Sequence, residues 1–326
     1  MKPDYRLVVN GQNITPKVNG RLISLTLTDE RGEKSDQLDI TLSDHDGTLA
    51  IPPRNASIGV WIGYQGALTY KGSYTLDEVV HAGTPDTLTL RARSADFKGP
   101  LKHKRQQSWH GVTLGDILNT IAGRSELTPV INQALAATAI THIDQTNESD
   151  LNLLTRLGQQ YGALATIKDG RLLFAPAGTG STASGTAIPA VTITRQDGDS
   201  HSYQLTDRDH DYTGVQCHWH NTATGTQETV TAGDASNPKV LRHSYPNHDD
   251  AAAAASAHWR TLNRAGAKLS LTLAEGRPDL YPETPVQTLG FKAEIDETQW
   301  VLERVVHELG DSGYTTRLEM EVKRPT

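Results

Sequence analysis

Cysteine is almost missing. Cys217 is the single one in 326 residues, which excludes an intrachain disulfide framework and a thiolate zinc site. Long hydrophobic runs are missing too. The opening MKPDYRLVVNGQNIT offers only Leu7 to Val9 before Asn-Gly, too short for a signal peptide's apolar core or a membrane span. Basic residues are outnumbered, 31 Lys and Arg against 38 Asp and Glu, and the net charge of −7 argues against a general nucleic-acid binder. Hydrolase signatures are also absent. There is no Gly-x-Ser-x-Gly elbow and no His-Glu-x-x-His, and GTGSTASG lacks the lysine of a phosphate loop. With 38 acidic residues, a pair of carboxylates suited to glycoside hydrolysis carries no information.

A chain of this length exceeds what one core usually serves, so two or three domains are expected. From Tyr5 to about Phe97 the period is two, in segments such as RLISLTLTDE, SDQLDITLSD and ASIGVWIGYQ between Gly, Pro, Asn and Asp turns. Leu22, Leu25 and Leu27 with Leu38, Ile40 and Leu42 are expected core positions, and Val60, Ile62 and Tyr64 share one strand face.

Helical period enters at SWHGVTLGDILNTIAGRSELTP, where Leu114, Ile117, Leu118, Ile121 and Ala122 form one apolar face. Thr113 and Asp116 have the spacing of a capping box, and Gly123 can close the helix. TPVINQALAATAITHID reads as loop or weak strand. A second helix follows, capped by Asn147 or Ser149, with Glu148 and Asp150 near its N-terminus to suit the dipole. Leu153, Leu154, Leu157 and Tyr161 make its buried stripe, and Gly162 ends it. Ala163–Ile167 and Arg171–Ala175 then form a hairpin about Asp169-Gly170. Residues 177–189, rich in Gly, Ser and Thr, read as a connection, after which strand signals resume around one alanine-rich helix, 249–266. The expected domains are 1–98, 99–180 and 181–326.

Three clusters were candidates for ligands or partners. Asp207, Asp209 and Asp211 resemble the start of an EF-hand loop, but Tyr212 and His218 stand where that loop needs glycine and glutamate. His218 and His220 share a strand face opposite Val215, Cys217 and Trp219, and His243 is a conceivable third ligand, though no spacing matches a closed zinc site. Lys102, Lys104 and Arg105, with Trp109 nearby, read as a solvated linker or as a patch facing an acidic protein partner. No catalytic residue, cofactor site or metal site is assigned.

Four separated blocks carry a resemblance: RARSADFKGPLKHKRQQSWHGVTLGDILNTIA, HIDQTNESDLNLLTRLGQQYGA, DRDHDYTGV, and EGRPDLYPETPV with WVLERVVHELGDSGYTTRLEME. In order along the chain, they resemble the late control protein D family, the baseplate hubs of contractile-tailed phages. The hubs of type VI secretion spikes and of phage-tail-like bacteriocins are similar. The resemblance implies a mainly β chain with an α+β insert: two tail-tube-like β-barrel domains plus a small central α+β module. It implies a homotrimer presenting six similar barrels, which joins a trimeric central spike to the hexameric tail tube or its initiator. Implied neighbours are baseplate wedge components and the tape-measure protein, without sequence-specific nucleic-acid or membrane binding. The location implied is the virion tail, after assembly in the bacterial host cytoplasm. Because the sequence ends at EMEVKRPT without a β-helical needle, a separate spike is expected. A tail-tip cell-wall hydrolase is the alternative. A transcriptional regulator is disfavoured by the missing helix-turn-helix and the acidic charge.

Overall fold

The first seven strands of the structure, a computed structural model describing residues 2–32, 35–94, 100–205, 212–264 and 267–324, follow from alternation. They are β1 (Pro3–Val9), β2 (Gln12–Asn13), β3 (Leu22–Glu30), β4 (Gln37–Ser43), β5 (Ser57–Tyr64), β6 (Ala67–Ala82) and β7 (Thr87–Arg93), with a helical turn α1 (Thr15–Val18). Leu25, Leu27, Leu38, Ile40, Leu42, Val60 and Ile62 are all buried in one core, against which Leu22 and Tyr64 pack from its margin. Asn10 and Gly11 both have positive φ, 47° and 81°, so β1 and β2 meet through the primed turn that suits strand twist.

The central module begins with a 3-10 turn (Pro100–Lys102) and β8 (Lys104–Thr113), followed by α2 (Leu114–Arg124), β9 (Thr128–Ile131), α3 (Gln133–Ala136) and β10 (Ala139–Ser149). α4 (Asp150–Tyr161), β11 (Ala163–Lys168) and β12 (Arg171–Pro176) complete it. Thr113 and Asp116 make the expected capping box, Ser149 caps α4, and Gly162 closes it in the left-handed conformation at φ 63°. α2, however, runs past Gly123 to Arg124. Asp169 and Gly170 form the two-residue hairpin turn.

Two readings need correcting. The basic segment is neither linker nor loose patch, since β8 pairs antiparallel with β10 from Lys104↔Ser149 to Thr113↔Ala139, with one register shift between Thr146 and Glu148. The segment read as loop or weak strand does hold strand, β9 and the first part of β10, but also the helical turn α3, which was not expected. Its periodicity was weak because this two-stranded ribbon buries few side chains, chiefly Trp109 and Gln145 on one face, with Ile140 near its end.

The remaining strands are β13 (Val191–Thr194), β14 (Gly198–Leu205), β15 (Gly214–Asn221), β16 (Thr226–Gly233), β17 (Pro238–Tyr245), β18 (Ala267–Leu273), β19 (Pro285–Leu289), β20 (Trp300–Gly310) and β21 (Gly313–Val322). α5 (His248–Arg264) and α6 (Ala293–Asp296) interrupt them. Thirteen strands form one sheet, ordered β14-β18-β21-β20-β3-β4-β7-β6-β5-β1-β2, with β13 and β19 attached beside β20. The mainly β fold with an α+β insert is as expected, but among the described residues neither half closes on itself into a barrel. β3 pairs with β20 instead, from Ser24↔Gly310 to Glu30↔Arg304, and fuses the halves.

Each half keeps its own core, the second built from Leu269, Leu271, Trp300, Leu302, Val305, Leu318 and neighbours. Residues 181–326 carry a further apolar cluster, where Val215 and Cys217 of the β16-β15-β17 sheet meet Ala251, Ala254 and Ala255 of α5. α5 also packs on α4, so this unit leans on the central module. The expected C-terminus of α5 at Gly266 lies outside the described residues.

Gly276 sits tightly at the seam between the halves. A Cβ there would run into the Tyr314 ring, which is itself buried in the first core. Gly276→Ala is therefore expected to cost about 1–3 kcal/mol through overpacking. Denaturant unfolding checks it, and an unchanged midpoint would show that the loop yields freely.

Candidate functional site: a charged junction

Three parts of the chain converge at the end of β3. Asp29 continues the inward parity of Leu25 and Leu27, and Asp36 precedes Leu38 in the same way, so two carboxylates stand where apolar side chains would be expected. Lys168, the last residue of β11, reaches both: its Nζ lies 2.7 Å from Asp29 Oδ1 and 3.0 Å from Asp36 Oδ2. Lys71 of β6 approaches Asp29 Oδ2 at 3.9 Å while donating to the carbonyls of Leu280 and Pro278. Burial and the neighbouring Asp29 raise the Asp36 carboxyl to about 7, against the partial compensation of Lys168. Burial works against the Lys168 ammonium, but the two carboxylates outweigh it and raise its pKa.

Arg31 extends the junction into the second half, 2.7 Å from Glu321 Oε1 and 3.3 Å from Glu283 Oε1. Glu283 also accepts the Gly178 N–H, at 2.9 Å, fixing the start of the Gly/Ser/Thr-rich connection. Arg324 donates to the Gly162 carbonyl at the end of α4. Above these groups lies a cleft of about 460 Å³ lined by Leu164, Leu173, Lys168, Ser181, Ile188 and Tyr281.

A second polar seam ties the halves directly. Tyr64 donates to the Gly276 carbonyl at 3.0 Å, and buried His307 Nδ1 lies 2.9 Å from Tyr314 OH and 3.1 Å from Thr316 Oγ1. Burial, with Lys71 nearby, holds the His307 pKa well below the ordinary value. The unfolded chain then binds a proton below about pH 6.5 that the folded chain refuses, so this group's stabilising contribution is lost as pH falls. His307→Gln is expected to remove up to ~1.4 kcal/mol per pH unit of that slope below pH 6.5. Unfolding midpoints of both chains between pH 7 and 5 test this; parallel profiles would contradict it.

Within the module, Asp150 is fully buried and accepts from Arg105 Nε and Arg124 Nη1, both at 3.1 Å, and from Gln145 Nε2 at 2.8 Å. The side chains singled out beforehand divide accordingly. Leu153, Leu154 and Leu157 lie in the module core, with Tyr161 at its edge. Tyr161 OH approaches Asp250 Oδ1 of α5 at 3.3 Å. Of the basic group, Lys102 and Lys104 are exposed, Arg105 is engaged by Asp150, and Trp109 is buried with the Arg124 guanidinium 5.7 Å from its ring. Lys102, Lys104, Arg105 and Trp109 thus do not form one surface patch.

Cys217 faces the apolar side of β15 as expected, and burial raises its thiol to about 11, so it is protonated at neutral pH. His218 is half-buried on the other face, while His220 and His243 are exposed. Among the described residues, no three His, Cys, Asp or Glu side chains are grouped to hold a metal. Asp207, Asp209 and Asp211 lie outside the described residues. No helix among the described residues is long and apolar enough to cross a membrane. Sequence reading missed Asp29, Arg31, Asp36, Lys168 and Glu283; the available signal was a charge standing in an apolar strand register.

Comparison with known proteins gives this architecture its place. The probable baseplate hub proteins of Escherichia phages 186 and P2 are each 42% identical to the chain, covering 99% of it and 94% of their own lengths. A tail protein from Neisseria meningitidis superposes with a TM-score of 0.71 at 15% identity, covering 98% of this chain and 97% of its own, which supports the fold. The family model described as phage tail baseplate hub (GPD) matches residues 22–313, and by this match and these relatives the chain belongs to that family.

Proposed function

We propose that this baseplate hub works as a homotrimer in which each chain supplies two tube-like sheet segments, so that three copies present six to the tail. The observation that carries the reading is the β3–β20 pairing, which fuses two halves, each with its own core, into one continuous sheet. A trimeric spike could then be met by threefold symmetry on one side and a hexameric tube or tube initiator by pseudo-sixfold symmetry on the other.

The sheet's two ends support an assembly role. At β1 the outward backbone is spoken for: Pro3 has no N–H, the Tyr5 N–H is taken by Asp4, Leu7 bonds Thr15 and Ile14, and β2 covers Val9. At the other end β14 is eight residues long and mostly exposed, and no strand pairs with its outer edge among the described residues. We assign that edge to a neighbouring hub chain. The central module and the α5 unit serve as brackets toward wedge components, and the lumen passes the tape-measure protein and genome. A net charge of −7 suits a lumen that does not retain DNA. The protein would assemble in the host cytoplasm and end in the virion tail.

Light scattering on the purified chain, alone and with its trimeric spike, tests the reading. A mass of three chains, or of three chains with three spike subunits, is expected. A chain that stays monomeric in both conditions would overturn it. A baseplate hub is a structural component, and nothing in the junction argues for the tail-tip hydrolase.

A further inference from the structure

We propose that Lys168 and Asp29 condense into an intramolecular amide, with Asp36 as the acid–base partner, and so staple the module's hairpin covalently to the β-sheet. The geometry is that of a lysine between two carboxylates. Lys168 Nζ is in contact with an oxygen of each, and both Asp29 and Asp36 are buried. Asp29 is the electrophile because its second oxygen, Oδ2, faces the Lys71 ammonium at 3.9 Å. That cation stands where the oxyanion of a tetrahedral intermediate would develop. Asp36 is the proton carrier: it is anchored by the Glu30 N–H on Oδ1 and turns Oδ2 to the lysine.

The step balances without any co-reactant. Lys168 starts as an ammonium and Asp29 as a carboxylate. Asp36 takes a proton from Nζ, and the freed amine attacks Asp29 Cγ. The N–C bond forms while negative charge gathers on the oxygen beside Lys71. Asp36 then returns the proton to the other oxygen and relays a second one from nitrogen. The C–O bond breaks, one water leaves, and a neutral amide remains. A carboxyl titrating at about 7 is matched to such work near neutral pH. In bulk water this condensation is unfavourable. Held in contact inside a folded chain, two such groups react with effective molarities reaching about 10⁵–10⁸ M, which lowers the barrier to amide formation. Forming the amide also removes two charges from a site where burial penalises them. The cleft beside Lys168 gives the released water an exit.

The bond would close a loop between positions 139 residues apart in sequence, constraining the unfolded chain as a long-range cross-link does. It would also fix the module to the sheet in a particle that transmits force.

Intact-mass spectrometry of the purified full-length chain decides the matter. A mass one water below that of the sequence is expected, with a branched tryptic peptide joining the Lys168 and Asp29 segments. Lys168→Arg and Asp36→Asn are expected at full mass. A wild-type chain of full sequence mass overturns the proposal. So does a water loss that maps to a linear peptide, as a cyclic imide at Asp169-Gly170 would. Water loss that persists in Lys168→Arg, or at the wild-type level in Asp36→Asn, overturns the corresponding role.

Discussion

Replacing Asp150 with alanine is expected to unfold the central module while leaving the thirteen-stranded sheet folded. The carboxylate is fully buried at the first turn of α4 and joins four segments: Arg105 from β8, Arg124 from the end of α2, Gln145 from β10, and α4 itself. Removing one partner of a buried ionic network costs about 3–5 kcal/mol, because the remaining charges stay desolvated without compensation. Domains of this size are stable by only about 5–15 kcal/mol, so most of the module's margin would go. Arg124 would keep its contacts with Gln107 and the Trp109 ring, so the loss falls first on the link between α4 and β8 through Arg105. Hydrogen exchange over residues 104–174 reads the module separately from the sheet, which matters because two-state unfolding does not hold for a chain with several cores. Asp150→Asn keeps an acceptor for Gln145 and should lose less. Protection within about 1 kcal/mol of wild type in the alanine variant would mean that the apolar contacts of Leu153, Leu154 and Leu157 suffice.

Asp150 also marks the limit of what could be read from sequence. Its place at a helix N-terminus was legible and invites a macrodipole explanation. Its real work depends on arginines 45 and 26 positions away, and nothing local announces them. The pattern recurs across the chain. Strand alternation located the cores of the first half because one buried face imposes a period of two. Helix caps and the Asp169-Gly170 turn were equally legible, being local chemistry. The β8–β10 ribbon was not, since its pairing crosses α2 and α3 and its outer face carries no apolar signal. Nor could alternation reveal that β3 and β20, separated by most of the chain, join two halves into one sheet.

The junction was hidden for a different reason. Asp29 and Asp36 were not singled out from the sequence, although their parity places them with Leu27 and Leu38 on the buried side. Lys168, beside the Asp169-Gly170 turn, supplies the cation from another domain-sized segment. The basic run Lys102 to Trp109 drew attention because it is contiguous in sequence, and the fold scatters it between solvent and core. Contiguity is thus a poor guide in this chain, and a charge in an apolar register is a better one.

Arg31 allows that rule to be tested. Its guanidinium is 9% exposed and lies between Glu283 and Glu321, with Glu303 at 4.0 Å from its other terminal nitrogen. Burial raises the Glu283 pKa even with Arg31 present. Arg31→Met would keep the apolar volume and remove the cation, and a loss of about 3–5 kcal/mol is expected. Arg31→Lys should recover only part of it, because a single ammonium cannot replace a fork that addresses several carboxylates. The sign with pH follows from the carboxylates left behind. The folded-state pKa of Glu283 would stand further above the unfolded value, so the variant should regain stability as pH falls toward the unfolded glutamate pKa. Adding Glu283→Gln and Glu321→Gln to Arg31→Met should restore much of the loss at neutral pH, since a buried ionic group replaced as a whole is often nearly neutral in stability. Unfolding midpoints for the single and triple variants distinguish the two roles of the cluster. Full recovery would mean that these charges fix how the second half seats on the first. A triple variant as unstable as Arg31→Met would mean that they hold the halves together by their own attraction.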